Sequence, residues 1–424
     1  MGLAGIGASF HPAPMTSFDQ ELFNRMPDRK IRHAEASFRA NKLALDLLDK
    51  HVNLVVAPNA HYKNNAIYSG LLYLSLNNTY AETAMEDLRI KHHIEVPSGT
   101  EFLYRVKKLF GIQNNQQHLD YFERVRVQME IWEKLTAVND ELVAIALNSG
   151  LFKKKPVICS IDYTKIPYYG TFNSNIVRSK HDRGTELFYE YASISVVENG
   201  KRICIHTIQI TLLSEEKHEI LGRLLTQALA RGIKIKILLV DRAFFTVDCI
   251  NTLDEMKIKF IMPCVGNERV QGAIDTLGKT GKIAKFPIYN SERVEATFSM
   301  VIVRNDKGEL MGFATNITGW SVKYFVRRIP KEYRKRWSIE TTFRKMKEVI
   351  GMTTSALPEI RLVYFMLAMI LYNVWQVVNY CFLSPLQSPY DSKKKIFVTI
   401  REMIRFFVNY LTQTQKHVDP LVFG

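Results

Sequence analysis

The sequence predicts an α/β protein built on a mixed sheet flanked by helices, with an all-helical N-terminal region and a β-rich insertion. The prediction rests on the order of patterns in mid-chain, where apolar runs alternate with helical segments as strand, hairpin, helix, strand, helix, strand. Only helical patterns precede this part, and a group of short strands follows it. At 424 residues the chain exceeds what one core usually organises, so we expect several domains.

The chain is strongly basic, as is typical of a protein with a polyanionic partner. Its formal net charge is +15 and its pI about 9.4. Nucleic acid is the commonest such partner. The hydrophobic share of 47% argues against a disordered chain. Five scattered cysteines without a Cys-x-x-Cys pair favour a reducing cytosol and argue against a zinc site.

The most hydrophobic segment, residues 362–382, is predicted to be a helix buried in the core. Its apolar run is interrupted by Asn373, Gln376 and Asn379, and it falls short of the about 18 uninterrupted apolar residues typical of a membrane span. Residues 1–30 carry no secretory pattern and are expected to be a disordered tail. We therefore expect a cytoplasmic protein without a membrane partner.

Residues 31–150 are predicted to be a helical DNA-binding region. Apolar periodicity indicates helices at about 34–51, 66–76 and 116–147. Between the last two, capping boxes predict two short helices joined by a basic turn, which resembles a helix-turn-helix unit. The boxes are Thr79 with Glu82 and Ser98 with Glu101, and the cations on the second helix are Arg105, Lys107 and Lys108. DNA contact and plain helical packing both remain open for this pair.

Residues 151–265 are predicted to be the first part of a catalytic core. Two short apolar runs each end in a carboxylate, Asp162 and Asp241, as expected of buried strands that deliver an acid to their ends. A loop with Arg178 and Lys180 is expected after the first run. The other predicted elements are strands 187–197 and 202–213 joined by Asn199-Gly200, helices 215–230 and 246–256, and strand 260–265.

The β-rich insertion is predicted at residues 266–329, with strands at 286–289, 295–303 and 310–317. The core is expected to resume at 330–384, and a C-terminal helical segment to fill 385–424, with its helix at about 396–411.

Residues 333–347 are predicted to form one helix with a functional face. At about 100° per residue, Tyr333, Arg336, Glu340 and Lys347 share one side, and Arg344 joins them. A solvated, salt-bridged surface is the alternative explanation of this face. A neighbouring apolar stripe, which would dock on the core, contains Ile339, Phe343, Met346 and Ile350.

The spacing Tyr-x2-Arg-x3-Glu-x6-Lys resembles the signature of insertion-sequence DDE transposases, which have a ribonuclease-H-like catalytic domain. The resemblance covers roughly residues 155–380. After the second acid, Arg242 and Phe244 match the family pattern, whereas Ala243 stands where the family often has glycine. The resemblance implies a catalytic and metal-binding triad of Asp162, Asp241 and Glu340.

Carboxylates gathered in this way need cations, and two Mg²⁺ (or Mn²⁺) ions are expected to serve in-line phosphoryl transfer. Asp162 would bridge both ions, Asp241 would hold one and Glu340 the other. Three further acids near the site, Asp182, Glu186 and Asp248, are more simply solvent-facing or capping residues. The residues expected to contact DNA are Tyr333, Arg336, Arg344, Lys347, Arg105, Lys107, Lys108, Arg178 and Lys180.

The resemblance further implies that the protein binds the terminal inverted repeats of its element. It would cleave double-stranded DNA there and join the freed 3′-hydroxyl to target DNA, as a homodimer on paired ends in a prokaryotic cell. Two alternatives stay open. One is a ribonuclease-H-like, structure-specific nuclease, and the other is a catalytically inactive, transposase-derived DNA-binding regulator.

Overall fold

The computed structural model describes residues 29–52, 60–113, 121–149, 152, 155–198, 201–211, 216–383 and 398–414. Three predicted features lie outside these residues: the N-terminal tail up to residue 28, the Asn199-Gly200 turn, and the parts of the C-terminal segment at 385–397 and 415–424.

The N-terminal region is helical, as predicted. Its elements are α1 (Arg29–Val52), α2 (Asn64–Leu76), α3 (Ala81–Glu86), a π-helical turn (Asp87–Lys91), α4 (Gly99–Leu109) and α5 (Tyr121–Asn148).

Of the two predicted capping boxes, one is present in part and the other is absent. Ser98 caps α4, since its side chain accepts a hydrogen bond from the Glu101 amide at 3.3 Å, but the Glu101 carboxylate binds Arg105 at 2.6 Å instead of reaching back. The box at Thr79 is wrong, because α3 begins one residue later, after Tyr80. The Thr79 amide instead bonds to the Leu74 carbonyl, in the turn that ends α2.

The described residues form one mixed sheet of nine strands, in the order β2-β3-β1-β5-β6-β9-β8-β7, with β4 paired to β3. β1 and β5 run parallel, as do β5 and β6, whereas the other pairs are antiparallel. The strands are β1 (Val157–Pro167), β2 (Val177–Asp182), β3 (Thr185–Glu198), β4 (Lys201–Ile210), β5 (Ile235–Val240), β6 (Phe260–Pro263), β7 (Gly281–Tyr289), β8 (Glu295–Arg304) and β9 (Leu310–Thr315).

Two parts of the sheet differ from the sequence prediction. The loop expected after Asp162 is wrong in part, because β1 continues to Pro167 and residues 177–182 form β2. The long strand β3 explains this, since it pairs with β1 as far as Pro167 and with β2 beyond it. The strands of the expected insertion extend the main sheet, because β9 pairs with β6. That residues 266–329 form an insertion domain of their own therefore stays a prediction.

Seven further α-helices follow in the described residues: α6 (Lys217–Ala230), α7 (Val247–Glu255), α8 (Glu268–Leu277), α9 (Val322–Tyr333), α10 (Trp337–Lys347), α11 (Pro358–Val377) and α12 (Ile400–Thr414). The single helix expected at 333–347 is wrong. Tyr333 ends α9, residues 334–336 form a 3₁₀ turn, and α10 follows. Pro330 lies inside α9, where its missing amide removes one helical hydrogen bond shortly before the turn tightens.

Helix α11 is the predicted core helix. Residues 358–380 are long and apolar enough to cross a membrane, but all of them except Arg361 and Tyr380 are buried inside the protein. The asparagines that interrupt its sequence have partners there. Asn379 bonds to the Trp375 carbonyl and to the backbone of Val398, and Asn373 reaches β4.

Asn373 supports a bulge in β4. The register between β3 and β4 shifts between Ile194 and Ser195, which disturbs the ladder near Cys204. The Asn373 side chain accepts from the Cys204 amide at 3.0 Å and donates to its carbonyl at 2.7 Å. It also donates to Asn139 Oδ1 at 2.6 Å, so α11, α5 and the sheet share one buried polar network.

Replacing Asn373 with leucine should lower the free energy of unfolding by about 3 kcal/mol, because buried backbone groups and Asn139 lose their partners. The shift in the midpoint of urea unfolding measures this loss. Gln271→Leu is the control, since it removes an exposed side chain that donates to the neighbouring Asp275, and it should change stability by no more than about 0.5 kcal/mol. Equal midpoints for the two variants would contradict the proposed role of the network.

Candidate active site

The two aspartates stand level on adjacent parallel strands. The pairing of β1 with β5 ends at Ile161 opposite Val240, and Asp162 and Asp241 are the next residues. Asp241 ends its strand as predicted, whereas Asp162 lies within β1, at the point where the parallel ladder stops. The register therefore brings both carboxylates to the same edge of the β1–β5 pair.

The turn after Asp241 is held by the acid itself. Asp241 Oδ1 accepts a hydrogen bond from the Arg242 amide at 2.7 Å and caps a 3₁₀ turn at residues 242–244. Ala243 has no positive φ angle, so the backbone there does not require the glycine that the family pattern often has. The departure from that pattern leaves the turn intact.

Glu340 reaches the aspartates through Arg336. One terminal nitrogen of Arg336 lies 2.7 Å from Asp162 Oδ2, and the other lies 2.7 Å from Glu340 Oε1. The Arg336 side chain is only 10% exposed, and the centre of the Tyr333 ring lies 5.8 Å from its guanidinium carbon. Arg336 is thus an internal counter-ion of two acids, and the predicted contact of this side chain with DNA remains a prediction.

All three acids line one open cavity of about 1060 Å³. Helix α10 forms one wall and is tied to the rest of the protein at two points. Lys347 donates to the Lys165 carbonyl in β1 at 2.8 Å, and Thr342 hydrogen-bonds to Tyr372 in α11 at 3.0 Å. The basic residues that line the same cavity are Lys165, Arg183, Lys217, Arg344 and Lys347.

The predicted DNA-contacting residues fall into two groups. Arg344 and Lys347 line the cavity, and Tyr333 and Arg336 lie beneath its acids. Burial lowers the pKa of Lys347, and the nearby charge of Arg183 adds to this. The remaining five are not among the residues that line the cavity in the described chain: Arg105, Lys107 and Lys108 on α4, and the exposed Arg178 and Lys180 on β2.

Three cationic residues of the cavity were not predicted as site residues. Lys165 lies opposite Glu190 on β3, and their side chains approach to 3.5 Å. Lys217 begins α6 and donates to the Ala243 carbonyl at 3.1 Å. Arg183 directly follows β2, where the sequence predicted a loop. Lys165 could have been found from its position three residues after Asp162. A strand β1 extended to include it would have predicted its pairing with Glu190 on the neighbouring strand.

Asp162 has a strongly perturbed environment. Burial raises its pKa to about 6, and the negative charges of Asp241 and Glu340 act in the same direction. Arg336 and the Tyr163 amide oppose the shift but do not cancel it. Burial thus disfavours the ionised form of Asp162, and a bound divalent cation would favour it again.

The pKa of Asp162 makes the stability of the metal-free protein depend on pH. The folded pKa of about 6 lies above the ordinary value of 3.8, so folding favours the protonated acid. Its stabilising contribution is present below about pH 4 and is lost as pH rises towards 6. The stability of Asp162→Asn relative to the wild type should therefore rise by on the order of 3 kcal/mol between pH 4 and pH 8.

Urea unfolding at pH 4 and pH 8 in the presence of a chelator measures this difference. Asp182→Asn, at an exposed position of β2, is the control, and its stability relative to the wild type should not change with pH. A constant gap between Asp162→Asn and the wild type would contradict the assigned environment.

The donor set fits hard divalent cations, which prefer carboxylate oxygens. The three acids are not gathered around a single point, because Arg336 lies between Asp162 and Glu340. In the described part of the chain, Glu216, His218 and Asp248 are the residues whose possible ligand atoms all lie within 4.8 Å of one another. A site for two ions would need only part of the triad at each ion.

Comparison with known proteins gives a family and a fold. The family model for the transposase DDE domain matches residues 153–374, more than half of the chain. No curated protein matches the sequence. The cryo-EM structure of a piggyBac transposase synaptic complex with hairpin DNA is similar, with a TM-score of 0.53 and 10% identity over 92% of this chain and 81% of that chain. The catalytic domain of human Endonuclease V gives a TM-score of 0.25 and 11% identity, over 51% of this chain and 96% of that chain. The likeness to the piggyBac structure confirms the predicted ribonuclease-H-like class.

Proposed function

Because the chain belongs to the family of proteins with a transposase DDE domain, we propose that it is the DNA transposase of an insertion sequence. In this proposal it binds the terminal inverted repeats of its element. It then cleaves the DNA in a metal-dependent step and joins the freed 3′-hydroxyl to target DNA. Asp162, Asp241 and Glu340 form the catalytic triad.

One observation carries the proposal: three acids that are far apart in the sequence line a single cavity together with five basic side chains. Acids alone would suit a cation-binding surface, and bases alone would suit any polyanion. The combination suits a phosphodiester held against divalent cations.

The triad would hold two Mg²⁺ or Mn²⁺ ions. When bound, such ions activate the attacking oxygen and stabilise the leaving one. Arg336 has a different task. It keeps Asp162 and Glu340 together and neutralises them before DNA arrives. Arg344, Lys347 and Lys217 lie at the cavity wall, where they can bind the phosphates that flank the scissile bond.

The remaining assignments are also proposals. The helical region at 31–150 would recognise the element ends, with Arg105, Lys107 and Lys108 of α4 facing DNA. Arg178 and Lys180 on β2 would contact the same DNA outside the cavity. The protein would act as a homodimer on paired ends, in the cytoplasm of a prokaryote.

A joining assay tests the proposal. The inverted repeats beside the coding sequence are first identified in the surrounding DNA. A short duplex that ends in this repeat is then incubated with the protein, a supercoiled plasmid and Mg²⁺. We expect the duplex to become joined to the plasmid through its 3′-hydroxyl. Cleavage without joining would favour a structure-specific nuclease, and binding without cleavage a catalytically inactive regulator.

A further inference from the structure

A second cavity, of about 900 Å³, follows the catalytic cavity along strand β1. Asp162, Thr164 and Lys165 line the catalytic cavity, and the next residues of the same strand, Ile166 and Pro167, line the second one. Arg183 lines both. The two cavities therefore lie next to each other along strand β1.

The chemistry of the second cavity differs from that of the first. Its lining contains eight aromatic side chains and three arginines, and no carboxylate among the described residues. Three of the rings are open to solvent: Tyr80 is 41% exposed, Tyr169 71% and Phe172 38%. An apolar core site would not combine exposed rings with an excess of positive charge. We call this cavity the aromatic pocket.

The walls of the aromatic pocket are fixed by contacts within the protein. The Arg361 guanidinium lies 4.7 Å from the Tyr168 ring, and it donates to the Thr353 and Ser355 carbonyls. A Cβ atom at Gly170 would lie 2.3 Å from the Tyr168 hydroxyl, so only glycine lets the backbone pass this ring. Arg361 and Gly170 therefore build the pocket.

Two side chains at the mouth of the pocket are placed to meet a ligand. The Tyr169 hydroxyl donates to the Arg183 carbonyl at 2.8 Å, which holds an exposed ring in one orientation. The Arg183 guanidinium makes no ion pair within the described residues and faces both cavities. A ring that is held but uncovered is a stacking surface, and an arginine beside it is a phosphate ligand.

We propose that the aromatic pocket binds an unstacked nucleobase of the DNA strand that leaves the catalytic cavity, with Arg183 on its phosphate. This inference rests on the proposed function. The strand from Asp162 to Pro167 spans about 17 Å at about 3.3 Å per residue. A stacked DNA strand advances about 3.4 Å per nucleotide, so the bound base lies about five nucleotides from the scissile phosphate.

The test is a cycle of paired changes in protein and DNA. The probe is a short duplex that ends in the inverted repeat, with one abasic nucleotide placed at each position from two to eight along the strand. We expect Tyr169→Ala to weaken binding of the intact duplex about tenfold. An abasic nucleotide near position five should weaken wild-type binding equally, and it should have no further effect on Tyr169→Ala.

Two control variants accompany the cycle. Tyr169→Phe keeps the ring and should retain the coupling to the base. Tyr289→Ala removes a ring that is 48% exposed on β7 and does not line the pocket, and it should bind like the wild type. Thermal unfolding of Tyr169→Ala checks that the fold is kept.

Three results would overturn the inference. In the first, Tyr169→Ala and the abasic nucleotide weaken binding of the duplex independently of each other at every position tested. The second is Tyr169-dependent binding of free deoxynucleoside monophosphate without coupling to DNA, which would make the pocket a mononucleotide site. The third is a change of oligomeric state in Tyr169→Ala without coupling, which would assign the pocket to a second copy of the chain. The joining assay with the wild-type protein keeps the two hypotheses apart. If the wild type joins DNA ends and one of these three results is found, the inference about the aromatic pocket fails while the proposed function stands.

Discussion

Asp162→Asn, Asp241→Asn and Glu340→Gln should each reduce DNA cleavage by at least about 10³-fold while leaving binding of the duplex largely unchanged. Each substitution removes one anionic oxygen from the set that would hold the ions, and keeps the size of the side chain. Because the three acids act as a unit, a double variant should be no slower than the slower single variant. Single-turnover cleavage and gel-shift binding, measured on the same duplex with Mg²⁺, report the two quantities separately.

Asp248→Asn is the matched control. Asp248 lies in the first turn of α7 and belongs with Glu216 and His218 to a group of closely spaced possible ligands outside the triad. We expect its substitution to leave cleavage within a fewfold of the wild type. Normal cleavage by any of the three triad variants would remove that residue from the proposed site. Loss of cleavage in Asp248→Asn would instead move an ion to the neighbouring group.

Arg336→Gln should tighten the binding of Mn²⁺ to the DNA-free protein about tenfold. In the wild type an incoming cation competes with the guanidinium for Asp162 and Glu340. Taking each ion pair at about 0.7 kcal/mol, the loss of both, about 1.4 kcal/mol, corresponds to roughly a factor of ten. Cleavage should nevertheless fall, by about 10-fold to 100-fold, because the two acids are no longer held together.

Titration calorimetry with Mn²⁺ measures the affinity without reference to activity. Arg344→Gln removes the same charge from an exposed position on the cavity wall, and it should change Mn²⁺ affinity much less. If both variants tightened binding equally, the effect would come from the overall charge of the cavity. If Arg336→Gln cut normally and bound DNA more weakly, the arginine would be a phosphate ligand, as the sequence pattern alone suggested.

The sequence predicted the elements whose burial leaves a clear pattern. The apolar runs before Asp162 and Asp241 are strands because both of their faces are covered, and α11 is largely apolar because all of its residues except Arg361 are buried. The position of both aspartates at the sheet edge follows from these runs. The apolar stripe at Ile339, Phe343 and Met346 likewise docks α10 as predicted.

Elements with little buried surface were missed. Strand β2 lies mostly in solvent, so no alternation of apolar and polar residues marks it. Helix α8 buries only Val270 and Ile274 and contains Gly272. The 3₁₀ turn at 334–336 contains neither glycine nor proline, so nothing local indicates the break.

The contact between Arg336 and Asp162 could not be predicted from local sequence. The helical spacing predicted that Arg336 and Glu340 share a face, but Asp162 is 174 positions away in the chain. The aromatic pocket has the same character, because its lining comes from segments around residues 80, 124, 168, 189, 351 and 364. Tertiary packing brings the residues of such sites together. A single sequence therefore shows no periodic pattern from which these sites could be predicted.

Asp162 and Asp241 lie at matching positions on neighbouring parallel strands. This register limits where residues can be inserted into or deleted from the chain. Side chains alternate between the two faces of a strand, so one residue added to or removed from β1 or β5 would turn an acid out of the cavity. Lengthening a surface connection, such as the turn at 305–308, costs only a slowly growing loop entropy. Relatives should therefore vary freely in the number of residues between their acids, while the phase of the two strands stays fixed.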